Sequence, residues 1–109
     1  MAGYVYILAS KPRGTLYTGV TSNLEKRMFE HTYKSKGFVK RYGVITLVFF
    51  QYFDSIHEAI EWEKKIKKWK RRWKIQLIEE QNSRWTDLMR REQLKSLALS
   101  DLKHQTRNP

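Results

Sequence analysis

Two short alternating runs at the start of the chain, joined by four turn-forming residues, limit its fold most. Gly3–Ser10 places Tyr4, Tyr6 and Leu8 on one face of an extended strand and Val5, Ile7 and Ala9 on the other. Lys11-Pro12-Arg13-Gly14 reads as a turn, since proline and glycine punctuate regular structure. Thr15–Val20 alternates again, with Tyr17 and Gly19 on one face and Leu16, Thr18 and Val20 on the other. The pair predicts an antiparallel hairpin.

The rest of the chain supplies a third strand and several helices. Ser22-Asn23-Leu24-Glu25 has capping-box spacing and opens a helix to about Tyr33, with Leu24, Met28 and His31 on its inner side. Gly37 and Gly43 bracket a basic loop. Val44–Phe53 is the most apolar strand and is expected at the centre of the sheet. Ser55-Ile56-His57-Glu58 repeats the capping-box spacing before a helix to about Lys70, and Arg71–Gln81 forms another with Trp73, Leu77 and Ile78 inward. Asn82 and Ser83 end it, and Trp85, Leu88 and Met89 pin a short last element to the core. The expected class is α/β (α+β): a small three-stranded, mostly antiparallel sheet flanked by helices, in the order β-β-α-β-α-α. With 109 residues there is room for one core, placed at 1–90, followed by a partly helical or frayed extension over 91–109.

Charge narrows the function. Lysine and arginine number 22 against 11 acids, a formal net charge of +11, and the excess is spread along the chain. Such a field attracts polyanions, nucleic acid foremost. The absence of cysteine excludes disulfides, thiol catalysis and Cys-ligated metal centres. No apolar run, Leu47–Phe50 included, is long enough for a membrane span, and Met1-Ala2-Gly3-Tyr4 leads at once into strand sequence rather than a signal peptide. A cytoplasmic domain, monomeric or weakly homodimeric, is expected.

Several side chains do not fit a purely structural pattern. At about 100° per residue, Glu63 falls inside the apolar stripe of Ile56, Ala59, Ile60 and Ile66, where a carboxylate needs a cation. Lys67, at i+4, is one candidate, and a divalent metal is the other. Arg27 and His31 are also i, i+4 neighbours around the inward Met28. Ile60–Lys74 holds 8 basic residues, 2 acids and 3 tryptophans. Helical spacing gives Trp69 and Trp73 to the core, leaving Lys64, Lys67, Lys68, Lys70, Arg71, Arg72 and Lys74 to meet phosphates.

In order and spacing, these residues resemble a known family. Tyr4-Val5-Tyr6, ten residues, Tyr17-Thr18-Gly19, then Arg27 and His31 look like the GIY-YIG nuclease domain. Ala59, Glu63, Ile66 and Lys67, with Asn82, Trp85, Asp87 and Leu88, are similar to its small single-domain branch. Tyr4 stands where the first motif has glycine, and Thr18 where the second has isoleucine. The resemblance implies hydrolysis of phosphodiester bonds in nucleic acid, DNA foremost, by an endonuclease of low sequence specificity acting in DNA repair or processing. It implies one divalent ion, Mg²⁺ or Mn²⁺, on Glu63. Tyr6 would orient or deprotonate the attacking water, aided by His31, with Tyr17 bonded in the same site. Arg27 would hold the scissile phosphate, Gly19 would let backbone approach the substrate, and Asn82 and Lys67 would line the rim. A phenol is a poor base at neutral pH unless cations lower its pKa, a task open to Arg27, the metal and the overall charge. The alternatives are a nucleic-acid-binding module without catalysis and a non-enzymatic subunit using its basic face on an acidic partner.

Overall fold

The computed structural model describes residues 1–33 and 37–89. The extension expected over 91–109 lies outside them. The hairpin forms as the alternation requires: β1 (Gly3–Ala9) pairs antiparallel with β2 (Leu16–Thr21), setting Tyr6 opposite Gly19 and Leu8 opposite Tyr17. Helix α1 (Leu24–Tyr33) follows. Its cap is one residue later than the capping-box reading: Asn23 Oδ1, not Ser22, accepts from the Lys26 amide at 3.1 Å. Asparagine caps a helix as well as serine does. A short helix α2 (Gly37–Tyr42) stands within the stretch read as a basic loop. Six residues are too few to leave a periodic signature.

The third strand, β3 (Thr46–Phe53), pairs antiparallel with β1, giving the sheet order β2-β1-β3. The centre is therefore β1, and β3, expected there, is an edge. Both faces of β1 are covered, with Val5 through Ala9 each at most 1% exposed. The open edge of β3 is closed by a side chain instead of a strand. The Gln81 carboxamide accepts from the Phe50 amide at 3.2 Å and donates to the Phe50 carbonyl at 2.9 Å. Covering an edge in this way hides backbone groups that would otherwise recruit another strand.

Helices α3 (Ile56–Lys68) and α4 (Arg71–Gln81) complete the described elements. Ser55 occupies the N-cap of α3 but makes no side-chain cap bond, contrary to the capping-box reading; the Ile56 amide donates to the Met1 carbonyl at 2.7 Å. Ala59 and Ile66 of α3, Ile78 of α4 and Trp85 pack on the face carrying Val5, Ile7 and Ala9. Leu24 and Met28 of α1 pack on the other face with Tyr6, Leu8 and Leu88. Trp69 is half-buried against the first core, but Trp73, read as inward, is 45% exposed. Among the described residues no helix is long and apolar enough to cross a membrane.

Candidate active site

The hairpin register and one turn of α1 build a polar cluster inside the sheet's second face. Tyr6 comes from the central strand and Tyr17 from β2, diagonal neighbours on one face. His31 descends from α1, and the Tyr6 hydroxyl and its Nε2 are hydrogen-bonded at 2.9 Å. The three rings meet pairwise, with centroids 6.3 Å apart for Tyr6–Tyr17, 5.7 Å for Tyr6–His31 and 5.4 Å for Tyr17–His31. Arg27, about one helical turn before His31, is exposed, pairs with Glu30 at 3.4 Å and lies close enough to bond the Tyr6 phenol. Tyr6 is 1% exposed and His31 is buried, whereas Tyr17 is half-buried. The cluster thus runs from an enclosed phenol–imidazole pair to a more open phenol and an exposed guanidinium.

Burial shifts both titrating groups of the pair. It raises the Tyr6 phenol well above the ordinary range; the neighbouring Tyr17 adds to this, and Arg27 pulls the other way without prevailing. Arg27 by itself does not bring the phenol into the neutral range. His31 is lowered, first by burial and then by Arg27, against the opposing pull of Glu30. In the neutral tautomer that carries its proton on Nδ1, Nε2 accepts from the Tyr6 hydroxyl.

Gly19 serves this cluster rather than a substrate. A Cβ at position 19 would collide with the Tyr6 hydroxyl and ring, so the space read as room for substrate is filled by Tyr6 itself. Asn82 is likewise not a rim residue. Buried to 3% exposure, it donates to the carbonyls of Val48 at 3.1 Å and Thr86 at 2.8 Å, and accepts from the Thr86 amide and hydroxyl. Val48 is where β3 slips register against β1, and such an irregularity takes a residue out of the ladder. Asn82 satisfies the carbonyl there.

Glu63 is buried on α3, on the same stripe as Ala59 and Ile66. The lysine alternative is formed: Lys67 Nζ meets Glu63 Oε2 at 2.6 Å. Among the described residues no three His, Asp or Glu side chains gather as a ligand set. A single carboxylate, one oxygen held by a half-exposed lysine, nevertheless fits an ion that keeps most of its water shell, as Mg²⁺ does.

The basic stretch divides. Lys64, Lys68, Lys70 and Arg72 are exposed. Lys67 is on Glu63, and Lys74 Nζ donates to the Lys67 carbonyl at 3.4 Å. Arg71 donates to the carbonyls of Arg13 and Gly14, pinning the β1–β2 turn. That turn is fastened a second time by the Arg13 fork on Glu79, both bonds 3.0 Å, and Glu79 also accepts from Trp85 Nε1 at 2.8 Å. No local pattern announces the contacts of Arg13 and Arg71, which join residues about sixty positions apart.

Comparison with known proteins gives the relatives of this fold. The GIY-YIG catalytic domain family matches residues 2–76. A UPF0213 protein of Clostridium perfringens is 44% identical over 79 residues, 69% of this chain and 81% of its own. A UPF0213 protein of Syntrophus aciditrophicus is 40% identical over 83 residues, 74% of this chain and 94% of its own. The solution NMR structure of a UPF0213 protein from Bacillus halodurans superposes with a TM-score of 0.52 at 32% identity, covering 81% of this chain and 94% of that one. The α+β fold is the one they share.

Proposed function

The chain belongs to the GIY-YIG catalytic domain family, and from that premise we propose that it is a metal-dependent endonuclease cutting phosphodiester bonds in DNA with little regard to sequence. The observation that carries this reading is the 2.9 Å Tyr6–His31 hydrogen bond, closed off on one side and leading to Tyr17 and Arg27 on the other. Tyr6 is too enclosed to touch a water directly, so the half-buried Tyr17 takes the water-facing place. A proton leaving the attacking water passes to the Tyr17 oxygen as Tyr17 releases its own to Tyr6, and Tyr6 releases its own to His31 Nε2. Neutral His31, its ring free to take a proton, is the acceptor at which the relay ends. Arg27 meets the phosphate oxygens, where its guanidinium balances charge that grows in the transition state. Glu63 would hold the divalent ion, which when bound neutralises phosphate charge and steadies the leaving oxygen. The exposed lysines make backbone contacts, which carry affinity without sequence preference.

Nicking of supercoiled plasmid in Mg²⁺ or Mn²⁺ tests the reading. The wild type should nick, EDTA should stop it, and Tyr17→Phe and Glu63→Gln should be folded but inactive. Binding without nicking by any of the proteins overturns the enzyme reading in favour of a binding module. Nicking by the variants at the wild-type rate overturns the assigned residues.

A further inference from the structure

The cores leave one group of large aromatics outside. Trp62 is 39% and Trp73 45% exposed, and between them stands Trp69, half-buried and anchored on the core. The three rings meet edge to face, with centroids 6.5 Å apart for Trp62–Trp69 and 6.1 Å for Trp69–Trp73. In each pair the edge of one ring meets the face of the other, and Trp62 and Trp73 stay partly open to solvent at the two ends. Lys65 Nζ sits 4.9 Å from the centroid of the Trp62 ring. From Trp73 the surface continues into a groove of about 240 Å³ lined by Trp69, Gln76, Leu77 and, as its one acid, Glu80. Residues 62–74 hold 8 basic side chains and a single acid, Glu63, which is buried.

We propose that Trp62, Trp69 and Trp73, with Lys65, Lys68 and Arg72 around them, form a stacking platform for the bases of an unpaired DNA strand. The proposal rests on the nucleic-acid reading above and sharpens it: the substrate has a single-stranded segment. Three arguments fix the occupant. Duplex DNA presents phosphates but keeps its base faces stacked inside, so it uses the lysines and leaves the indoles idle. An unpaired strand uses both, since every base offers a face to stack and every step offers a phosphate. A second copy of the chain would set two strongly basic surfaces against each other, which opposes association. A membrane helix needs a broad apolar face, and Ala59 and Ile66, the apolar residues of α3 beside this patch, are already spent on the core.

The test compares binding of a fluorescein-labelled dT20 oligonucleotide and of a blunt 20-base-pair duplex by anisotropy, without metal so that cleavage does not intervene. Indole emission should be quenched by the single strand. Trp73→Ala should weaken dT20 binding about tenfold and duplex binding less than twofold, and Trp73→Phe should restore most of the loss. Circular dichroism confirms the fold of each variant. Equal binding of dT20 by wild type and Trp73→Ala overturns the platform, as does equal weakening for both DNAs. So does binding to anionic vesicles, or self-association, that Trp73→Ala abolishes while dT20 binding stays unchanged. Cleavage by the wild type stands or falls separately in the plasmid assay.

Discussion

The two faces of the sheet bury polar side chains in opposite ways. On the side of α3 and α4, Asn82 engages both ends of its carboxamide with Val48 and Thr86. On the side of α1, Tyr6 and His31 bond chiefly to each other, with Arg27 and Tyr17 beside them leading outward. Burial is nearly the same, so burial does not separate a structural polar group from a reactive one. What separates them is whether the hydrogen bonds end in fixed backbone or in groups that can gain and lose a proton. Saturated with backbone partners, Asn82 has nothing left to offer a substrate. The Tyr6–His31 pair holds a proton between two groups whose ordinary pKa values lie on either side of neutrality.

The sharpest way to break this contrast is to remove one polar group from each side. Tyr6→Phe deletes a single hydroxyl and cuts the relay, so nicking should fall by a factor of about a hundred or more. It should cost only about 1–2 kcal/mol in urea unfolding, for the His31 Nε2 left unpaired, because the ring still fills its place. Asn82→Ala should do the reverse. It leaves the Val48 and Thr86 backbone groups unpaired and should cost about 2–4 kcal/mol of stability, read from urea unfolding. Where the variant remains folded, its nicking rate per folded molecule should match the wild type. An Asn82→Ala protein that is fully stable yet inactive would return Asn82 to the active site and dissolve the distinction.

Gly19→Ala makes a finer cut within the reactive side. The added methyl must displace the Tyr6 phenol, at a cost of about 1–3 kcal/mol for overpacking. Moving that hydroxyl off His31 Nε2 should lower nicking further than the stability loss alone explains. The double variant Gly19→Ala with Tyr6→Phe should show no additional loss of activity, since the hydroxyl being displaced is already gone. Independent losses would mean that Gly19 acts on the substrate after all.

How much of this could be read from the chain follows from the range of each interaction. Period-two alternation was enough to place Tyr6 and Tyr17 on one face, and period 3.6 to bring Arg27 and His31 together and to turn Glu63 inward, because each is local geometry repeated. The central strand was misread because β3 is richer in apolar residues, although what makes β1 central is that helices cover it on both sides. The cover over the β3 edge comes from Gln81, 31 residues after Phe50, and alternation carries no trace of it. Trp73 was misread for a related reason: its spacing suits an inward face, but Ile75, Leu77 and Ile78 already supply the contact with the core. The role of Gly19 was hidden because a missing side chain does not say which neighbour fills the space.

The smallest expected effect concerns pH, and it separates the two faces without removing any atom from the core. In the unfolded chain His31 titrates near its ordinary value of about 6.5, whereas in the fold its pKa is lowered, first by burial and then by Arg27. Between those two values the unfolded chain binds a proton that the folded protein does not, so acidification favours unfolding there. The stability contributed by neutral His31 is complete above about pH 6.5 and is lost as pH falls through the lowered value. Glu79, whose pKa is also lowered, by its bonds to Arg13 and Trp85, titrates below the ordinary carboxylate range and so acts at more acid pH. Urea midpoints at pH 7.5 and 5.5 should therefore differ more for the wild type than for His31→Gln, which keeps polarity but cannot titrate. Nicking by the wild type should fall along the same acid limb and hold steady above neutrality, because the raised Tyr6 phenol keeps its proton there. A midpoint shift identical in both proteins would mean that His31 does not carry the acid sensitivity, and the reactive face would then lose its proton acceptor.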